Sequence, residues 1–101
     1  MPPPRRRRRP RRVEYHDLGG RIDLHGATRA EAREQLRDFL QEAVALGEHT
    51  VLVIHGKGTG TLARFVTAEL DGSPHVRSHR TAPKELGGEG ARVVDVELGA
   101  L

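Results

Sequence analysis

The 101-residue chain has no cysteine and no tryptophan, and only one tyrosine and two phenylalanines. Without cysteine there are no disulfides, no thiol nucleophile and no thiolate-bound zinc or iron–sulfur cluster. With hydrophobic residues at 36% and aromatics at 3%, the core must be small and built from Val, Leu, Ile and Ala. No apolar run approaches the roughly 20 residues that span a bilayer, and no stretch near the start resembles a signal peptide. The expectation is a soluble, cytoplasmic protein with no membrane partner. Ser73 and Ser78 are the only serines, and neither lies in a Gly-x-Ser-x-Gly elbow, so a serine nucleophile is not expected. The length suits one domain, and no internal repeat is visible.

What the chain has in excess is arginine at one end. Arg5 to Arg9, Arg11 and Arg12 place seven positive charges and no acid in the first twelve residues, together with four of the six prolines. The other ten basic side chains face all fourteen acids, a net of −4. The overall +3 therefore describes a basic arm on a mildly acidic body. Residues 1–19 are read as this arm or as a linker, unable to fold alone, and 20–101 as the domain. Two readings of the arm stand side by side: a phosphate-binding tether acting through counterion release, and a solvated tail. Anionic lipid would need an apolar face that the arm lacks.

Ile22 and Leu24 alternate with Asp23 and His25 up to Gly26, a first strand with one buried face. Thr28 and Glu31 form a capping box, after which Ala32, Leu36, Phe39, Leu40, Ala43 and Leu46 recur at helical spacing as far as Gly47. Thr50 to Ile54 is a β-branched run of the kind buried on both faces. Leu62, Phe65, Val66 and Leu70 mark a second helix, ended by Asp71-Gly72-Ser73-Pro74. Val76 to Thr81 extends as a third strand, with Arg77 and His79 expected to share one side. A Gly-rich connection follows from Pro83 to Gly90. Val94, Val96 and Leu98 alternate with Asp95 and Glu97 in the last strand. The order β-α-β-α-β-β predicts a two-layer α/β domain with a four-stranded mixed sheet, the last two strands antiparallel. Two helices cover one face and leave the other open, and Asp23 and His25 are expected on that open side.

Chemistry gathers at Asp23-Leu24-His25-Gly26 and at His55-Gly56-Lys57-Gly58-Thr59-Gly60, both at carboxyl ends of parallel strands, where ligands bind α/β sheets. An Asp and a His two apart on one strand face allow the carboxylate to orient the imidazole for general acid–base work. Glycines let backbone N–H groups approach phosphate oxygens, and Lys57 adds a point charge. Each motif also has a plain structural reading, as a hydrogen-bonded turn or a tight strand-to-helix connection. A Walker A loop would need Gly and Ser or Thr where Val51 and Gly58 stand, and a dinucleotide fingerprint would need Gly at Thr61. His25, His55 and Asp23 are ligand types for a metal, but no helical His pair or compact acidic cluster accompanies them. His16, His49 and His75 are assigned to loops, with no role beyond solvation.

These motifs, with Ala82-Pro83 and Gly87-Gly88-Glu89-Gly90-Ala91 before the last strand, resemble those of the Smr (small MutS-related) domain family over about residues 20 to 98. Arg92 departs from the pattern, standing where a small or apolar residue is more usual. The resemblance implies a fold similar to the C-terminal domain of translation initiation factor three. It also implies nucleic-acid endonuclease activity, since members act on branched DNA or cut messenger RNA at stalled ribosomes. By that resemblance Asp23 and His25 match the cleavage motif. His55, Gly56, Lys57, Gly58, Thr59 and Gly60 match the nucleic-acid contact, which Arg77 and His79 are expected to extend. The partner is DNA or RNA, with the ribosome as a further partner. RNA cleavage by a neighbouring 2′-hydroxyl needs no metal, whereas DNA requires activated water and often a divalent ion. A non-catalytic nucleic-acid- or ribosome-binding module is the competing reading.

Overall fold

A computed structural model of the chain describes residues 18–99; the arginine-rich arm and His16 lie outside the described residues. The elements are β1 (Leu18–Asp23), α1 (Arg29–Leu46), β2 (Thr50–Ile54), α2 (Thr61–Asp71), β3 (Val76–Thr81) and β4 (Ala91–Val96), with two 3-10 turns, Lys84–Leu86 and Gly88–Gly90, before β4. The sheet order is β1-β2-β4-β3, with β1 parallel to β2 and β4 antiparallel to both its neighbours. This is the expected mixed four-stranded sheet. Because β1 and β2 run the same way, α1 must cross between them, and both strands end at the same edge.

Helix α1 begins where its capping box predicts. The Thr28 hydroxyl accepts from the Glu31 N–H at 3.1 Å, and the Glu31 carboxylate accepts from the Thr28 N–H at 3.0 Å. Gly47 ends the helix in the left-handed conformation, φ 71°. Its buried stripe, Ala32, Leu36, Leu40 and Ala43, packs with Val66 and Leu70 of α2 on Val51, Val53, Val94 and Val96 of the sheet and on Leu24 just past β1. That is the main core.

The other sheet face is less open than the helix count suggests. Leu52 and Val93 are fully buried there with Ala82 and Ala91, because the connection after β3 folds back and lays Leu86 against them together with Ile54. On the same face Asp95 accepts hydrogen bonds from Ser78 (2.8 Å), Arg80 (2.9 Å) and Thr50 (3.3 Å). Burial pushes the Asp95 carboxyl up, but these donors and the Arg80 charge outweigh it and hold it below its ordinary value.

The limits of two strands and the register of a third differ from the sequence reading. Strand β1 starts at Leu18, ahead of the boundary at 20, and ends at Asp23, so His25 stands in the turn beyond it. Strand β4 starts at Ala91 and stops before Leu98. Val93 and Val94 are both buried, on opposite faces, so a strand covered on both sides shows no alternation there. A register irregularity between Val76 and Ser78 shifts the side-chain parity of β3. His79 therefore pairs with Val94 and faces the helix layer, while Arg77 is exposed; the two do not share the open face.

The core estimate is directly testable. Leu40, 2% exposed, fills the α1–sheet junction, and Leu40→Ala is expected to cost about 2–5 kcal/mol. Urea denaturation should show a lower midpoint with an unchanged slope.

Candidate nucleic-acid site

The carboxyl ends of β1 and β2 form the rim of a cleft of about 520 Å³, lined by His25 and Arg29 on one side and by the loop from His55 to Gly60 on the other. The first turn of α2, Thr61 to Ala63, closes its end. The two motifs read from the sequence thus meet in one place.

Asp23 and His25 are joined twice. One carboxylate oxygen, Oδ1, accepts the His25 backbone N–H at 3.1 Å and the ring Nδ1–H at 2.7 Å. Since a carboxylate only accepts, the proton must lie on Nδ1, which leaves Nε2 as the available ring nitrogen. The His25 side chain is 71% exposed, so the pair is a positioning device and contributes little to stability. The same two hydrogen bonds, the side-chain one foremost, hold the Asp23 carboxyl below its ordinary value.

The loop after β2 is shaped by glycine at the positions that need it. Gly56 has φ +84°, and a Cβ there would stand 3.2 Å from the His25 Cβ. The missing side chain is what allows the two strand ends to approach. Gly60, with φ 90°, caps α2 without a side chain, so the amides of the first turn keep their outward-facing donors, in contrast to the filled cap of α1. Thr59 takes one of them, its hydroxyl accepting from the Thr61 N–H at 3.3 Å.

His55 is buried, 5% exposed, and its Nδ1–H donates to the Gly56 carbonyl at 2.7 Å. Its backbone N–H and that of Gly56 both donate to the Gly90 carbonyl at 2.9 Å. The Gly-rich connection, noted in the sequence only as a motif, therefore braces the loop that carries Lys57. Arg29, which sequence reasoning missed, enters the cleft because the helix cap at Thr28 aims the first turn there; a cation just past a capping residue was the available signal. Lys57, Gly58 and Thr59 are exposed on the rim.

Arg77 and His79 do not line this cleft. His79 is engaged elsewhere: its Nε2–H donates to Asp71 at 2.6 Å, and its Nδ1 accepts from the Arg92 Nε–H at 2.8 Å. Arg92, the departure from the family pattern, thus ties β4 to β3 and the end of α2. His75 is half-buried at the turn before β3 and holds a buried, unpartnered Nδ1, which corrects its assignment to solvent. Among the described residues, no group of three or more His, Asp or Glu side chains is placed to hold a metal ion, and no helix is long and apolar enough to cross a membrane.

Comparison with known proteins matches residues 22–97 to the Smr domain family. The endonuclease MutS2 of Helicobacter pylori is 43% identical over 74 residues, 73% of this chain and 10% of that protein. The endonuclease MutS2 of Enterococcus faecalis is 36% identical over 84 residues, 83% of this chain and 11% of that protein. The chain thus spans about a tenth of the length of these relatives. Among solved structures, the Smr domain of Thermus thermophilus MutS2 aligns with a TM-score of 0.75 at 39% identity, covering 78% of this chain and 99% of that one. YdaL, a stand-alone small MutS-related protein from Escherichia coli, aligns with a TM-score of 0.71 at 31% identity, covering 76% and 63%.

Two measurements check the geometry. Asp23 has a lowered carboxyl value in the folded state, so the stabilisation it provides is complete above the ordinary value of 3.8 and is lost as pH falls through the lower, folded value. A carboxyl-carbon NMR titration should place its midpoint below 3.8, and His25→Ala should return it towards 3.8. Gly26 and Gly56 both hold left-handed φ; a Cβ at Gly56 would stand 3.2 Å from the His25 Cβ, whereas one at Gly26 meets nothing beyond its own chain neighbours. Gly26→Ala and Gly56→Ala should each cost about 1–2 kcal/mol, and the second should move the His25 ring resonances further than the first.

Proposed function

The chain belongs to the Smr domain family, and from that premise we propose that it binds DNA or RNA at the cleft and cuts the phosphodiester backbone. The observation that carries this reading is the Asp23–His25 pair, whose 2.7 Å hydrogen bond fixes Nδ1 and leaves Nε2 for proton transfer beside Lys57 and the open first turn of α2. A polyanion needs such a cationic, donor-rich rim. The MutS2 relatives are named endonucleases, which favours cutting over binding alone.

On RNA, His25 Nε2 takes the proton of a 2′-hydroxyl, whose oxygen attacks the adjacent phosphorus. The P–O5′ bond breaks, the departing oxygen takes a proton from the site or from water, and the products are a cyclic phosphate and a 5′-hydroxyl end. Lys57 and the loop amides stabilise the charge that grows on the phosphate oxygens. Asp23 holds the imidazole in the required tautomer. His55 keeps the loop in place through Gly56. On DNA the attacking group is water; Asp23 and His25 are the residues that would hold a divalent ion, which would supply activation of that water.

A second reading, a module that binds nucleic acid or the ribosome without cutting, is favoured by the seven arginines of residues 1–12, which add affinity without chemistry.

End-mapping on matched RNA and DNA substrates, with and without chelator, tests the proposal. His25→Ala is expected to lower the cutting rate by about 10²–10⁴-fold while binding persists. Lys57→Ala should weaken both. A single 2′-deoxy substitution at the cut site should stop RNA cleavage. Cutting by His25→Ala at the wild-type rate would remove His25 from the chemistry, and intact substrate in every wild-type reaction would leave the binding-only reading.

A further inference from the structure

We infer that the flank of α1 facing α2 is a second contact surface, on which a single nucleic-acid strand leaving the cleft lies along Arg29, Arg33 and Arg37. The inference rests on the nucleic-acid reading above and adds the path and the strandedness of the ligand.

The three arginines are four residues apart, so they form one row along the helix, rising about 6 Å per step and about 12 Å in all. Arg29 lines the cleft that holds His25 and Lys57. Arg33 and Arg37 line a second groove, of about 440 Å³, between α1 and the last turn of α2. The row therefore begins in one groove and ends in the other; α2 also borders both, through Thr61 to Ala63 and through Ala68 and Glu69.

Charge on α1 is sorted to match. The arginine row borders the buried stripe of Ala32, Leu36 and Leu40. Glu34, Asp38 and Glu42 form a parallel row on the outward side, about 100° round the helix, and the two rows touch where Asp38 Oδ1 stands 4.0 Å from Arg37 Nε. One line of cations beside one line of acids suits one phosphate backbone. The second strand of a duplex would meet the acids.

Glu69 is the one acid lining the second groove. Its Oε2 accepts from Arg33 Nε at 3.3 Å and Nη2 at 3.1 Å, and the guanidinium lies 5.4 Å from the Phe65 ring centroid. A carboxylate with two guanidinium donors stands where a phosphate oxygen would be held. Glu69 thus keeps Arg33 in the groove in the absence of a strand and competes with the strand for it.

The test uses the full chain and uncleavable 2′-O-methyl RNA strands of about three and about twelve nucleotides, titrated over a range of salt. Arg37→Gln should weaken binding of the longer strand about three- to fivefold and lower its salt slope by about 0.7, with the short strand unaffected. Glu69→Gln should strengthen binding of the longer strand. Gln35→Glu, the same one-unit loss of positive charge on the far flank of α1, should leave the slope unchanged. Equal effects of Arg37→Gln and Gln35→Glu, or none from either while the wild-type chain binds, would overturn the row and leave the nucleic-acid reading standing. A duplex bound more tightly than the strand and equally weakened by Arg37→Gln would overturn the single-strand assignment. Failure of the wild-type chain to bind any of these would overturn both.

Discussion

The close approach of Gly56 to His25 is the contact on which the cleft depends. Two parallel strands bring their carboxyl ends to one sheet edge, but sheet geometry alone leaves the turn after β1 and the loop after β2 as neighbours without a fixed relation. A glycine whose Cβ would sit 3.2 Å from the His25 Cβ fixes it. The left-handed φ of Gly56 then turns the chain so that Lys57 and the next three residues line the cleft opposite Arg29. Any side chain at Gly56 would strain the backbone and push on the imidazole at once, which links the stability of the loop to the position of the reactive group.

Orientation, more than stability, is what Asp23 contributes. The pair is exposed to water, where its attraction is screened and worth little. Yet two donors converging on one oxygen leave the ring few rotamers. The site is thus assembled with weak forces around rigid backbone. The Gly90 carbonyl, accepting two N–H groups from the base of the loop, supplies the firmer support from behind. The cost falls on a short, glycine-rich connection that also has to cover Leu52 and Val93 with Leu86.

How much of this could be read from the chain follows from where simple periodicity holds. Helix α1 has a capping box, an apolar stripe and a terminal glycine that agree with each other, so its limits were legible. The β2 run was legible as a strand buried on both faces, but that same property implied a second covering layer, which two helices could not supply. Leu86 and Ala82 supply it from a segment with no regular pattern. On β3 the two-residue period would place Arg77 and His79 on one side. A single irregularity after Val76 breaks the parity, and no residue in Val76-Arg77-Ser78 announces it. Arg92 looked out of place on a core strand because its partner is the displaced His79, whose side chain is 10% exposed between Arg92 and Asp71. One backbone irregularity accounts for both discrepancies. The Asp-x-His and glycine motifs were legible because they lie next to strand ends, where position along the chain and position in space coincide.

A body with more acid than base is an unpromising partner for a polyanion if its charge is averaged. The distribution reverses that judgement. On α1 the acids stand in a row on the outward side, while the arginines stand in another row next to the core and α2. Asp95 is occupied by Thr50, Ser78 and Arg80 on the far sheet face, and Asp71 by His79. These carboxylates are spent on internal hydrogen bonds or turned from the cleft, whose rim carries Lys57, Arg29 and open helix amides. Because the acids left elsewhere repel a phosphate chain, they narrow the paths on which it can lie, and a net negative body becomes a means of steering a strand rather than an obstacle to holding one.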